Sequence, residues 1–344
     1  MIYFNCDYNE GAHERILDAL MKTNMEQSIG YGMDSYSEEA KRLLKKLCGR
    51  EDIDVHFLVG GTQTNLTVIS AALRPHQGIL AANTAHINVH ETGAIEGCGH
   101  KVLALPSDDG KITASQVEKA FLEHKNEPAA EHMVQPKMVY ISNPTELGTI
   151  YSRKELGDLH KICQKYQLIL YMDGARLGYG LEAEGNTLDL PYISSCCDVF
   201  YIGGTKVGAL FGEAVIIGNP ALKEDFRYII KQKGGMLAKG RLLGIQFVEL
   251  FRDGLYLEIS AHADHLADRL RQVFREKGYS FLIENSTNQI FPILPNEHME
   301  ELKKDFVFEY QEKVDETHTA VRFCTSWATK EEYVEYLGER IRQL

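Results

Sequence analysis

Val199-Phe-Tyr-Ile202-Gly203-Gly204-Thr205-Lys206 is an apolar run that passes through two glycines and stops at a lysine. Asp173, 33 residues before Lys206, ends a second stretch built the same way, Leu168-Ile-Leu-Tyr-Met172-Asp173-Gly174-Ala175-Arg176. Short apolar runs bounded by glycine read as buried strands. Charge placed directly at the end of such a strand marks the edge where open α/β sheets bind ligands. Working outward, residues 55–59 form a further short strand, Gly60-Gly61 a turn, and Thr62 the start of a helix with Leu66, Ile69 and Leu73 on one face. Strands at 78–82, 101–105, 137–142, 168–172, 199–202 and 214–217 then alternate with helices at 86–95, 113–124 and 152–166. That order predicts an α/β fold with a mostly parallel, doubly wound sheet flanked by helices.

Two helices, 12–29 and 35–48, precede the sheet, the second with Ser35 and Ser37 as candidate caps. From about residue 238 the texture changes to amphipathic helices at 238–252 and 256–277, short strands near 279–283, 289–294 and 320–325, and a closing helix at 330–344. We therefore expect a large domain over residues 1–237 and a small α+β domain over 238–344. The chain is longer than one ordinary domain, which agrees with this division.

With 44% hydrophobic and 25% charged residues among 344, the composition is that of a globular protein. A net charge of -12 and the lack of any basic block argue against nucleic acid as a partner. The first residues have neither a basic n-region nor a long apolar core, and no segment approaches 18 uninterrupted apolar residues, so neither secretion nor a membrane is expected. The 7 cysteines are odd in number and form no CxxC, which disfavours a disulfide framework and a four-sulfur zinc site. The expected setting is cytoplasmic.

Three separated pieces carry the chemistry. In Gly60-Gly61-Thr62-Gln63-Thr64-Asn65 the glycines let backbone approach a ligand while the following helix presents free N–H groups, a phosphate site; the bland alternative is a turn capped by Thr62. No lysine follows at Walker spacing, and neither GxGxxG nor its acidic partner is present, which weakens a nucleotide-binding reading. Asp173 is suited to hold the proton of a pyridine nitrogen, and Arg176 to reach a ring oxygen or phosphate; a surface ion pair is the alternative. Lys206 is flanked by apolar residues that would desolvate its amine, and a deprotonated amine is what imine chemistry needs. Most lysines are solvated surface groups, and that is the reading to be beaten. His86 opens a helix and offers an imidazole to a conjugated ring. His86 and His90 are four apart, but neither HExxH nor HxxEH fits, so no metal is expected.

At these residues the chain resembles the low-specificity threonine aldolase and β-eliminating lyase family of fold-type-I pyridoxal 5′-phosphate (PLP) enzymes, which share the aminotransferase-like fold. The resemblance runs over nearly the whole length. It is carried by Tyr31-Gly32-x-Asp34, Gly60-Gly61-Thr62, Ala85-His86 with Glu91-x-Gly93-Ala94, Asp173-Gly-Ala-Arg176, Gly204-Thr205-Lys206, Lys233-Gly-Gly-Met236 and Val321-Arg322-Phe-Cys-Thr325. It implies that Lys206 holds PLP as a Schiff base, Asp173 pairs with its pyridine nitrogen and His86 stacks on its ring. Gly61 and Thr62 would cradle the phosphate, Arg176 would bond near the ring oxygen, and Arg322 would grip the carboxylate of an amino acid substrate. It also implies a homodimer or homotetramer with sites between subunits, Lys231, Lys233, Lys239 and Arg241 being candidates to reach a neighbour's phosphate.

Two departures stand out. Cys6-Asp7-Tyr8 occupies the place of a Ser-Asp-Thr segment, making Cys6 the candidate substrate contact there. Asn143-Pro144-Thr145-Glu146 occupies the place of an Asn-Thr-His segment, which leaves Glu146 or His86, directly or through water, as candidates for the base of a β-hydroxyl. The expected activity is cleavage of the Cα–Cβ bond of threonine, allo-threonine or a related β-hydroxy-α-amino acid. The alternatives are β-elimination or racemisation of another amino acid, and a non-catalytic PLP-binding protein.

Overall fold

The computed structural model describes residues 1–344. Its centre is a seven-stranded sheet of β1 (Asp54–Leu58), β2 (Gln77–Ala82), β3 (Lys101–Leu105), β4 (Gln135–Ser142), β5 (Ile169–Asp173), β6 (Val199–Gly203) and β7 (Glu213–Ile217). The strands are hydrogen-bonded in the order β1-β7-β6-β5-β4-β2-β3. All pairs from β6 to β3 are parallel, whereas β7 runs antiparallel to both β1 and β6. Every residue of β2, β5, β6 and β7 is buried, which is why these strands are continuous apolar runs rather than alternating ones. The mostly parallel sheet flanked by helices is the fold the sequence predicts.

The helices on this sheet start where side chains satisfy their free N–H groups. Ser152 with Glu155, and Thr113 with Gln116, form capping boxes for Arg153–Tyr166 and Ala114–Asn126. Asp34, rather than Ser35 or Ser37, caps the helix Ser35–Cys48: its carboxylate accepts from the Ser37 N–H and hydroxyl at 2.8 Å each. The predicted helix 86–95 is two single turns, His86–Val89 and Ala94–Gly97, because Thr92 and Gly93 take left-handed φ values of 52° and 71° between them. The predicted helix 12–29 stops at Thr23, and the expected strand near 279–283 reduces to one bridge between Phe281 and Pro292.

The apolar interior divides in two. One cluster of 61 residues surrounds the large sheet; a second of 15 lies between the helix Leu255–Lys277, the closing helix Glu331–Gln343 and the short strands of the C-terminal part. Membership crosses residue 238 in both directions. Phe247 to Ala263 belong to the large cluster, while Phe4 joins the small one, since Ile2–Tyr3 pairs in parallel with Phe306–Val307. The helix Leu255–Lys277 serves both, with Ile259 near its start in the large cluster and Leu270, three turns further along, in the small one. No helix is long and apolar enough to cross a membrane.

Candidate active site

Strands β1, β2, β4, β5 and β6 all end at one edge of the sheet, and β7, running the other way, begins there with Glu213 opposite Gly203. The sequence changes sheet direction between β2 and β4, and a crevice at such a point is where α/β proteins bind ligands. A cavity of about 290 Å³ opens at this edge. Its wall includes Gly60-Gly61-Thr62 after β1, His86 after β2, Glu146 after β4, Asp173 and Arg176 at the end of β5, and Lys206 after β6.

The two stretches that decided the fold lock into each other here. The Gly203 N–H donates to the Gly174 carbonyl at 2.9 Å. A Cβ on Gly174 would lie 2.0 Å from the Tyr201 carbonyl oxygen, and one on Gly203 would lie 2.3 Å from that of Ala175. Both neighbours are backbone, so neither can move aside. The glycines are therefore required by this contact, and it fixes where Asp173 and Lys206 stand relative to one another.

Asp173 is buried and receives four hydrogen bonds. Oδ1 accepts from the Tyr201 hydroxyl at 2.5 Å and the Ala175 N–H at 3.0 Å; Oδ2 accepts from the Tyr140 hydroxyl at 2.6 Å and Asn65 Nδ2 at 3.2 Å. Burial, and then the negative charge of Asp173, hold both tyrosines well above the ordinary phenol range, so they remain donors. Sequence reasoning missed Tyr140 and Tyr201, which sit inside apolar strands and read as core residues.

The Lys206 amine makes no hydrogen bond or ion pair, although it stands 6.0 Å from the Tyr8 ring centre and several acids are close by. Desolvation and then the Arg176 charge push its pKa down from the ordinary lysine value, against the opposing pull of Asp7, Asp173 and Glu213. Glu213, also missed, accepts from the Gly204 N–H at 3.1 Å and the Thr205 hydroxyl at 2.8 Å. Burial lifts its carboxyl to about 8, so at neutral pH it adds little negative charge beside Lys206.

His86 is oriented from behind. Its Nδ1 lies 2.8 Å from Glu91 Oε1, and since a carboxylate only accepts, that nitrogen carries the proton. Glu91 reaches back because the left-handed residues Thr92 and Gly93 end the first helical turn. Glu146 Oε1 accepts from the His86 N–H at 2.9 Å and from the Ser142 hydroxyl at 2.7 Å. Burial raises the Glu146 pKa, the Asp173 charge adding to it, so this acid binds a proton more readily than an ordinary carboxylate.

The arginines are placed differently from expectation. Arg176 lines the cavity, but its guanidinium makes a two-pronged pair with buried Asp7, at 2.7 and 3.0 Å. Burial would raise the Asp7 carboxyl; the charges of Arg176 and Lys206 and bonds from Arg176 and Asn288 hold it below the usual range. Arg322 is not in the cavity wall: Nη2 donates to the Asn5 carbonyl at 2.9 Å, and Nε is buried without a partner. Cys6 also lies off the wall, its thiol turned to Asn9 Oδ1 at 3.1 Å, and the residue of that segment facing the cavity is Tyr8. Of the four distant cations, Arg241 is committed to the carbonyls of Thr23 and Glu26, at 2.6 and 2.9 Å. Lys233 Nζ lies 3.7 Å from Cys98 Sγ and Lys231 Nζ 4.9 Å from the centre of the Tyr31 ring; Lys239 is exposed.

These features fit PLP. The helix Gly61–Ala72 opens from Gly60 with no side chain capping its first N–H groups, so Thr62 does not cap it and the amides are free for a phosphate. A Cβ on Gly61 would stand 3.2 Å from the Tyr201 hydroxyl that holds Asp173. The unpaired Lys206 and the buried Asp173 complete the set for an aldehyde and a pyridine nitrogen.

A family model described as beta-eliminating lyase matches residues 7–297. The chain belongs to that family. The low specificity L-threonine aldolase of Pseudomonas sp. (strain NCIMB 10558) is 30% identical over 98% of this chain and 96% of its own length. The Pseudomonas aeruginosa protein of the same name is 29% identical, with the same coverage. A solved structure of Leishmania major threonine aldolase is 45% identical and covers 100% of this chain and 99% of its own, with a TM-score of 0.97. At 13% identity and a TM-score of 0.72, a Thermus thermophilus aspartate aminotransferase shows the shared fold alone. The family and the aminotransferase-like fold implied by the motifs are thus met, and with the family comes its cofactor, PLP.

Proposed function

We propose that this PLP-dependent lyase cleaves the Cα–Cβ bond of threonine, allo-threonine or a related β-hydroxy-α-amino acid, releasing glycine and an aldehyde. The observation that carries the reading is the unpaired Lys206 amine in one cavity with the four-times-bonded Asp173. When bound, PLP supplies an electron sink for the bonding pair released at Cα. The chain's own groups do the rest. Lys206 holds the cofactor, the amides of Gly61 and Thr62 take its phosphate, Asp173 faces its ring nitrogen, and His86 lies against its ring. Arg176 serves the ring-oxygen side, and Arg322 receives the substrate carboxylate with its guanidinium fork.

Glu146 is the base we assign to the β-hydroxyl. Oε1 is pinned by His86 and Ser142, and its raised proton affinity suits a group that must accept a proton and return it. Taking the hydroxyl proton lets the C–O bond become a carbonyl as Cα–Cβ breaks. Glu146→Gln should lower kcat on L-threonine by about 10²-fold with little change in KM; full activity in that variant would hand the step to His86 Nε2.

The deciding experiment combines the visible absorption of the PLP-loaded enzyme with analysis of products from L-threonine and L-allo-threonine. Glycine and aldehyde support the proposal, and Lys206→Ala should lose both the absorption and turnover. Ammonia and an α-keto acid would reassign the enzyme to β-elimination. Exposed Leu17, Met21, Met25, Ile29, Tyr31 and Met33 follow one another along the N-terminal part. They support a homodimer or homotetramer with sites between subunits, checked by sedimentation of wild type against Met25→Glu. Seven free cysteines are in keeping with a reducing, cytoplasmic setting.

A further inference from the structure

Asn65, on the helix that follows Gly60-Gly61, is fully buried and uses every hydrogen-bonding position of its amide nitrogen. The Tyr171 hydroxyl donates to Oδ1 at 2.7 Å, which fixes Nδ2 as the donating end. Nδ2 then reaches two carboxylates at once, Glu91 Oε1 at 2.7 Å and Asp173 Oδ2 at 3.2 Å. Both acids are buried, and a shared donor atom makes them near neighbours. Two negative charges so placed repel each other, and one would ordinarily keep a proton. Tyr140 and Tyr201 give Asp173 further donors and His86 gives Glu91 another, but only Asn65 touches both. Of the nearby acids, Glu146 adds to the load while Glu213, mostly protonated at neutral pH, adds little, and Lys206 is the amine that faces them.

We propose that Asn65 is a positioning residue whose single amide keeps Glu91 and Asp173 ionised side by side, coupling the tautomer of His86 to the charge that faces the cofactor's ring nitrogen. The proposal rests on the function assigned above. Without the amide, either Asp173 holds a proton and the ring nitrogen loses its anionic partner, or Glu91 does and His86 Nδ1 loses its acceptor. Both failures act on the chemical step and leave the residues that grip substrate untouched.

The test uses the PLP-loaded enzyme with Asn65→Leu, of similar shape but without a donor, with Glu91→Gln, and with the double variant Asn65→Leu/Glu91→Gln. Three quantities are read: the pH titration of the cofactor's visible absorption, the His86 imidazole signals by NMR, and kcat and KM for L-threonine. Asn65→Leu is expected to move the absorption titration by about one pH unit or more. It should also change the His86 signals and lower kcat roughly 10–100-fold, with KM within a few-fold. The double variant should recover part of the loss, since one of the two charges is gone. An unmoved titration, or losses in the single variants that simply add, overturns the proposal. If Asn65→Leu does not fold, Asn65→Ser takes its place under the same criteria. A wild-type enzyme that shows no cofactor band defeats the proposed function instead, whereas a normal wild-type band with an unmoved variant titration defeats only the role of Asn65.

Discussion

Asp173 and Arg322 belong to different parts of the molecule and are held in different ways. Asp173 stands on the large sheet and takes hydrogen bonds from β4, β6, the helix Gly61–Ala72 and its own turn. Arg322 comes from the small core on the strand His318–Cys324; it gives one good bond, to the Asn5 carbonyl, a second at 3.5 Å to Gln289, and leaves Nε unpartnered. The sheet thus presents a carboxylate in one position, while the small core presents a cation that a carboxylate ligand would serve better than its present neighbours do. On the function proposed above, the floor would serve chemistry and the less firmly held arm capture.

Four substitutions probe this contrast. Asp173→Asn keeps the outline of the side chain but removes its charge and faces the Tyr140 and Tyr201 hydroxyls with an amide; kcat should fall by roughly 10²–10³-fold, with an altered cofactor absorption as the check. Equal loss in KM and kcat would mean that the floor also captures substrate. Gly203→Ala forces a Cβ against the Ala175 backbone, and unfolding in denaturant should show a loss of about 3 kcal/mol or more. A variant of wild-type stability would show that the two turns are not locked. Arg322→Lys exchanges a fork for a point charge, so KM for threonine should rise about 10–100-fold while kcat changes less.

The smallest effect concerns Glu213, whose carboxyl is raised from the usual 4.5 to about 8. A group with a raised acid pKa holds its proton in the folded state after the unfolded chain has lost it, so folding stability falls as pH climbs from about 4.5 towards 8. Glu213→Gln has no proton to lose and should flatten that slope. Thermal unfolding of both proteins between those limits should show the variant gaining on wild type as pH rises. Parallel curves would mean that Glu213 ionises freely and leaves Lys206 beside a full negative charge.

Much of the floor was legible because strand, glycine and charge follow one another in the chain. Asp173, Lys206 and the amides after Gly60 are placed by local geometry that composition reveals directly. Tyr140 and Tyr201 were hidden, since a tyrosine in an apolar strand buries its ring whether or not its hydroxyl has a task. Glu213 was hidden because it opens a strand running against its neighbours, and strand direction is a tertiary fact. The role of Glu91 depends on a break at Thr92 that the spacing of apolar residues smoothed into one helix. Arg322 and Cys6 matched motifs, yet their side-chain directions are set by Asn5, Gln289 and Asn9, which no local pattern announces.

The locked glycines also divide the cavity for anyone wishing to redesign it. Positions 174 and 203 have no room for variation, since any side chain there presses on backbone, and a Cβ at 61 crowds the Tyr201 hydroxyl. Tyr8 and Pro144 line the same space without taking part in that contact, whereas Ser142 holds Glu146 and must stay. A library that randomises these two explores new aldehydes on an unchanged chemical platform, whereas one that reaches into the glycines mostly samples proteins that no longer fold.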